Sequence, residues 1–286
     1  MSYDIITNRL IELIEQTQLL PWQMPWNGGI SGPANLLSNR EYTGMNYIML
    51  EMTKIANKYT SNYWLTYKQA RKCGGYVKKG EKGTPILVPI FEKEDEEDDD
   101  GNIVDTKETL HFKVFYVFNT EQTNIVADLT NVEPKNKLPE KEVFVNGYLQ
   151  RENIKVIDDC KAYYNPTNDF IGMPKFETFH SIDFYYLTML HEIAHSTGHS
   201  TRLNRVGVAT LNKSTHTYSY EELVAELTAT FVGNDLGLVR ENSAEEKNSA
   251  SYLKNWLSVI RESPKMLQTA TQEAEKAVKY ILNGKN

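Results

Sequence analysis

The sequence predicts an α+β protein of two domains. Three observations carry that expectation. The 286 residues are enough for two independent cores. Amphipathic helical stripes recur in both halves, together with short apolar and aromatic runs of strand character. Between Asn119 and Glu140 the periodicity is lost to polar, proline-bearing sequence that includes Glu133-Pro134 and Leu138-Pro139. The first domain is therefore placed at residues 1–130, a linker at 131–140 and the second domain at 141–286.

Bulk composition narrows the function. Hydrophobic residues make up 40% and charged residues 24%, as in an ordinary folded protein rather than a disordered one. No apolar run is long enough to span a membrane, and the basic and apolar regions of a signal peptide are missing, so a cytoplasmic location is expected. The two cysteines, Cys73 and Cys160, form no Cys-x-x-Cys pair, which leaves histidine and carboxylate to hold any metal. The net charge of −7 is unevenly spread. Residues 1–91 carry ten Lys and Arg against six Asp and Glu, whereas residues 92–108 carry ten acids and two lysines. A mildly basic first domain thus coexists with an acidic total, and a nucleic-acid partner remains open.

In chain order, Ile5, Ile6, Leu10, Leu13 and Ile14 predict an amphipathic helix over residues 4–18. The following Pro21-Trp22-Gln23-Met24-Pro25-Trp26 cannot be regular, and its indoles either cap a core or form a stacking platform for exposed bases. Residues 45–58 carry a core stripe of Met45, Ile48, Met49, Met52 and Ile55. The run Tyr63-Trp64-Leu65 reads as a short apolar piece, followed by Thr66 as an N-cap and a helix closed by Gly74. Next comes a basic turn, Lys78-Lys79-Gly80-Glu81-Lys82-Gly83, whose lysines either form a solvated hairpin tip or follow phosphates. Ile86–Phe91 and Leu110–Asn119 are expected to be paired strands, with the dense acidic run from Glu92 to Gly101 as a mobile loop between them. In the second half, a helix over 139–152 precedes short strands near 155–158, 161–164 and 170–174, with a turn at Asn165–Asp169.

The chemistry lies in His191-Glu192-Ile193-Ala194-His195, on a helix expected to run from Ser181 to Thr197 and to stop at Gly198. Histidines four apart share one helix face, so both can reach one metal, with Glu192 beside the remaining coordination position. A catalytic zinc takes three protein ligands, so a third must come from elsewhere. His199 leaves the histidine face once the helix ends, and a further turn to a histidine fails because position 201 is Thr201. Glu222 and Glu226 stack one turn apart on the next half-apolar helix, so Glu222 is assigned as third ligand and Glu226 as the acceptor that orients His191. Zinc lowers the pKa of bound water to about 7 and polarises a carbonyl, and Glu192 accepts and returns the proton, which points to peptide hydrolysis. His199, His216, Tyr218 and Tyr220 are candidates for donating to the oxyanion. Two terminal helices, near 244–261 and 264–283, look structural.

These residues resemble the ArdC-like antirestriction proteins of plasmids and phages. The likeness rests on Pro21-Trp22-x-x-Pro25-Trp26, Tyr42-x-Gly44-x-Asn46, Trp64-x-Thr66-x-Lys68-Gln69-Ala70 and Gly75-x-Val77-x-Lys79-Gly80-Glu81-Lys82-Gly83 in the first half. In the second it rests on Tyr164-x-Pro166-x-x-Asp169, His191-Glu192-x-x-His195-x-x-Gly198-His199, Arg202-Leu203-Asn204-Arg205 and Glu221-Glu222-Leu223-Val224-Ala225-Glu226. The resemblance implies a small mixed α/β domain that binds single-stranded DNA with little sequence preference. It further implies a zincin-like metallopeptidase domain of the type whose third ligand is a glutamate. Trp22, Trp26, Trp64, Tyr67, Lys68, Lys78, Lys79 and Lys82 are the DNA-binding candidates. Zn2+ is the expected cofactor, with single-stranded DNA and an unknown peptide as partners and no membrane. The competing reading is a DNA-binding and interaction module whose zinc site is structural. Glu192 argues against it, since a structural site has no use for that carboxylate.

Overall fold

The structure is a computed structural model that describes residues 2–23, 32–97, 103–125, 140–205, 215–238 and 250–284. Two compact units emerge, one of Met1–Thr17 with Gly32–Asp128 and the other of Gln18–Ser31 with Leu129–Asn286. Within Gln18–Ser31, the described residues Gln18–Gln23, read from sequence as part of the first domain, thus belong to the second unit. The physical reason is Trp22, which is 1% exposed and meets Trp256 edge to face at 4.9 Å.

In the first unit, α1 (Ser2–Thr17) and α2 (Gly44–Asn57) pack on a four-stranded sheet. Its strands are β1 (Ala34–Asn35), β2 (Tyr63–Thr66), β3 (Thr84–Glu97) and β4 (Ile103–Asn119), in the order β1-β2-β4-β3. Leu50, Trp64, Ile86 and Val117 meet in its core. The short helix α3 (Tyr67–Lys72) starts at a capping box in which Thr66 accepts from the backbone of Gln69 while the Gln69 side chain accepts from Thr66 N–H. Pro85 and Pro89 are compatible with β3 because it is an edge strand. That edge is covered where the Asn46 side chain both donates to Leu87 O and accepts from Leu87 N–H, each at 2.7 Å.

The β3–β4 ladder is longer than its sequence suggests. Pairing continues past Phe91↔Leu110 through Glu94↔Lys107 to Glu97↔Ile103, with a register shift at Glu96/Glu97. The acidic run is therefore strand as far as Glu97, because backbone pairing carried by the apolar part of the hairpin extends into sequence whose charge alone reads as loop. Residues 98–102 lie outside the described residues.

The second unit contains α4 (Lys141–Glu152) and a three-stranded sheet of β5 (Lys155–Asp158), β6 (Tyr163–Asn165) and β7 (Phe170–Met173), ordered β5-β7-β6. Helices α5 (Ile182–Thr197), α6 (Thr215–Asp235), α7 (Ala250–Glu262) and α8 (Pro264–Asn283) complete it. One core joins α4, β6, β7, α5, α6 and α8, with Tyr148, Ile171, Leu187, Leu190, Ile193, Val232 and Ile281 among its members. α6 approaches α5 closely at Gly233, where a Cβ would stand 2.7 Å from Leu187 Cδ2. This pairing of α5 with α6 positions the site. No described helix is long and apolar enough to cross a membrane.

Candidate metal centre

α5 begins at Ser181, whose hydroxyl accepts from Phe184 N–H at 3.1 Å. Leu187, Leu190, Ile193 and Ala194 face the core, so the neighbouring face carries His191 and His195 one turn apart. The helix stops at Gly198, and the chain then folds back over its end. Leu203 N–H donates to Thr197 O at 2.9 Å, Arg205 N–H to Gly198 O at 3.0 Å, and the Arg202 side chain to Ser196 O at 2.7 Å. The carbonyls that a helix end leaves unpaired are thereby satisfied, two of the contacts coming from cationic side chains suited to that pole.

α6 supplies the facing carboxylate. The Nε2 atoms of His191 and His195 are 3.1 Å apart, His191 Nε2 lies 3.4 Å from Glu222 Oε2, and His195 Nε2 lies 3.4 Å from Glu222 Oε1. Ligands about 2.0–2.1 Å from a tetrahedral zinc are separated by roughly 3.3–3.4 Å, so the two imidazoles stand near that spacing and the carboxylate is within reach to complete the set. Among the described residues, His191, His195 and Glu222 form the group whose ligand atoms fall within 4.8 Å of one another.

Behind the ligand atoms stand two further carboxylates. Glu226 Oε1 is 3.9 Å from His191 Nδ1. Glu221, which sequence reasoning passed over, places Oε1 3.5 Å from His195 Nδ1 and is itself fully buried against Arg205. Its signal was available only as an acid directly before Glu222 and an arginine in the motif that follows the helix. Burial by itself lowers the basicity of both imidazoles, but the surrounding carboxylates outweigh it, raising His191 and bringing His195 up to about 10. Burial would raise Glu222, yet hydrogen bonding to the two histidines holds it far below the usual carboxylate range. Glu192 is 6% exposed, and burial raises its carboxyl against the opposing pull of His191 and His195. The backbone of Tyr164, in strand β6, also pulls the Glu192 carboxyl down.

The other candidates divide. His199 turns aside, its Nδ1 2.8 Å from Thr201 Oγ1, and Tyr220 is hydrogen-bonded to Thr269 of α8. The side chains of His216 and Tyr218, and the whole of Trp26, lie outside the described residues. Trp22 and Trp64 are 1% and 0% exposed, which agrees with the core-capping alternative for Trp22 and removes both from the DNA-binding candidates: a base cannot stack on an indole that is wholly inside the protein. Trp64 is buried because β2 is an interior strand covered by the helices of its unit. Tyr67, Lys68, Lys79 and Lys82 are exposed, and Lys78, also exposed, donates through Nζ to Glu121 O at 2.8 Å.

Comparison with known proteins places each half. Residues 2–118 match the N-terminal domain of anti-restriction factor ArdC, and residues 145–273 match a zincin-like metallopeptidase. Two Escherichia coli proteins named DNA primase TraC are 32% and 31% identical over 98% of this chain, which spans only 20% and 27% of their lengths. The protein y4eC of Sinorhizobium fredii is 27% identical, and the chain covers 91% of it. Crystal structures of the antirestriction protein ArdC from plasmid R388, one metal-free and one Mn(II)-bound, superpose with TM-scores of 0.73 and 0.74 at 31% and 30% identity. The match covers 99% of this chain and 97% of each of those structures. Sharing nearly its whole length with ArdC at that identity, the chain belongs to the ArdC antirestriction family and has a zincin-like second half.

Proposed function

We propose that this chain is an antirestriction-type protein of a mobile element that binds single-stranded DNA without sequence preference and carries a zinc-dependent peptidase site. The observation that carries the peptidase reading is the triangle of His191 Nε2, His195 Nε2 and Glu222 with Glu192 buried beside it. Two imidazoles and one carboxylate suit zinc, and a fourth position left to solvent distinguishes a catalytic from a structural site. When bound, the ion supplies a Lewis acid toward water and toward a substrate carbonyl.

The chain's own residues do the rest. Glu192 takes a proton from the attacking water and gives it to the leaving amine, with the Tyr164 backbone favouring the charged form of that carboxylate. β6 is an edge strand of its sheet, so an extended peptide is received beside Glu192 by backbone pairing along that edge. The DNA reading draws on the ArdC family match and on Tyr67, Lys68, Lys79 and Lys82, an exposed ring among exposed cations.

The deciding experiment uses full-length protein loaded with zinc and an unstructured protein substrate, with fragments read by mass spectrometry. Cleavage should stop in Glu192→Gln while metal content and thermal midpoint stay at their original values. Fragments that persist in this variant would remove Glu192 from the chemistry, and a wild type that never cleaves would favour a site that only binds metal.

A further inference from the structure

Arg205 and Glu221 form a buried pair that neither the ligand set nor the proton transfer uses. Glu221 is 0% exposed, and Arg205 holds it at two points, Nε to Oε2 at 3.0 Å and Nη2 to Oε1 at 2.6 Å. The same guanidinium donates to Ala194 O at 2.8 Å and to the Thr197 hydroxyl at 2.7 Å, both in the last turns of α5. One side chain therefore grips the histidine-bearing helix and the glutamate-bearing helix together.

The position of Glu221 in α6 gives this grip a direction. Adjacent helical residues point about 100° apart. Glu222 accordingly faces the Nε2 side of both histidines, while Glu221 reaches round to Nδ1 of His195 at 3.5 Å. A buried ion pair is a poor device for stability alone, since apolar side chains of similar volume serve as well or better. A carboxylate facing the second nitrogen of an imidazole has a specific use, because it selects the tautomer whose lone pair lies on the first.

We propose that Glu221 and Arg205 are positioning residues for the metal. Glu221 is the carboxylate that faces the buried Nδ1 of His195, which has no hydrogen-bond partner of its own, and it favours the tautomer protonated there so that Nε2 presents its lone pair to a divalent ion, while Arg205 fixes Glu221 and spaces α5 from α6. The inference rests on His191, His195 and Glu222 being the ligands, and it can fail while that assignment survives.

The test measures zinc affinity of the full chain by competition with a chromophoric chelator, without any substrate. Glu221→Gln should weaken zinc by about 10- to 100-fold, the usual effect of removing a partner behind a ligand. A folded Glu221→Gln protein that binds zinc within twofold of wild type would overturn the proposal. Should that variant not fold, nitrogen-15 spectra of the zinc-loaded wild type decide. They should show His195 protonated at Nδ1 and ligated through Nε2, and the opposite tautomer would overturn the proposal. Glu222→Ala separates the two levels: undiminished zinc binding there would remove the ligand assignment itself, whereas loss of zinc in Glu222→Ala with no change in Glu221→Gln would remove only the positioning role.

Discussion

Arg202 and Asp169 meet in a two-point contact, Nη1 reaching Oδ2 at 3.1 Å and Nη2 reaching Oδ1, with the arginine side chain 3% exposed. The pair joins the β6–β7 turn to the end of α5, and Tyr164 Oη completes it by donating to Asp169 Oδ1 at 2.7 Å. Asp169→Ala leaves Arg202 buried without its carboxylate and should cost about 1–3 kcal/mol of stability, measured by urea unfolding. Burial favours the neutral acid here, but bonds from Arg202 and Tyr164 prevail and hold Asp169 below its ordinary value. Its contribution is therefore present above the unfolded pKa of about 3.9 and lost as pH falls through the lower folded value. The variant should show a shallower loss of stability below pH 4 than wild type, and parallel acid profiles would contradict this.

Metal content tests the third ligand. Protein purified without chelator should hold about one zinc per chain, and Glu222→Ala should lose most of it. Elemental analysis showing unchanged zinc would shift attention to His199, which the structure leaves bonded to Thr201.

Zinc and protons should compete. With His195 held up to about 10 in the absence of metal, the histidine pair retains a proton at neutral pH that a metal must displace. Zinc affinity should rise between pH 6 and pH 9, and calorimetry in buffers of different ionisation enthalpy should register at least one proton released. The same raised value means that, without metal, the stabilisation His195 gains from Glu221 and Glu222 is full below about pH 6.5 and fades as pH rises through about 10. Heats that do not vary with the buffer would contradict the assignment.

Two aromatic residues near one another in sequence should behave oppositely. Trp64→Ala removes a wholly buried indole and should destabilise its unit by about 3–5 kcal/mol. Tyr67→Ala removes a ring that is 55% exposed, should leave the thermal midpoint unchanged, and should weaken an oligothymidine by about 5- to 100-fold in fluorescence anisotropy. Binding should also fall with added salt and in Lys79→Ala. Full affinity in Tyr67→Ala would move the DNA surface elsewhere.

What the sequence reveals of this protein depends on how local the determining contacts are. The histidine helix and the stacked pair Glu222 and Glu226 repeat at four residues, so one helical turn is enough to see them. Thr66 and Gln69 declare a helix start in the same way. Glu221 carries no such mark, since its partner Arg205 lies 16 residues upstream and no period connects them. Trp64 misleads for a similar reason. Its aromatic and basic neighbours suggest an exposed platform, whereas burial is decided by strand order, which brings β4 to one side of β2 and β1 to the other. The acidic stretch is misread because charge density outweighs an antiparallel register that begins in apolar residues well before it.

The grip of Asn46 on Leu87 has a consequence for solubility. A sheet's outermost strand offers unpaired amides that can template another molecule's strand, and a long hairpin with aromatic residues is especially exposed to this hazard. At Leu87 both outward-facing backbone groups are already taken by the Asn46 amide, so an incoming chain finds neither donor nor acceptor there. Asparagine at this place in α2 works as a stopper that lets β3 stand at the margin without recruiting a neighbour.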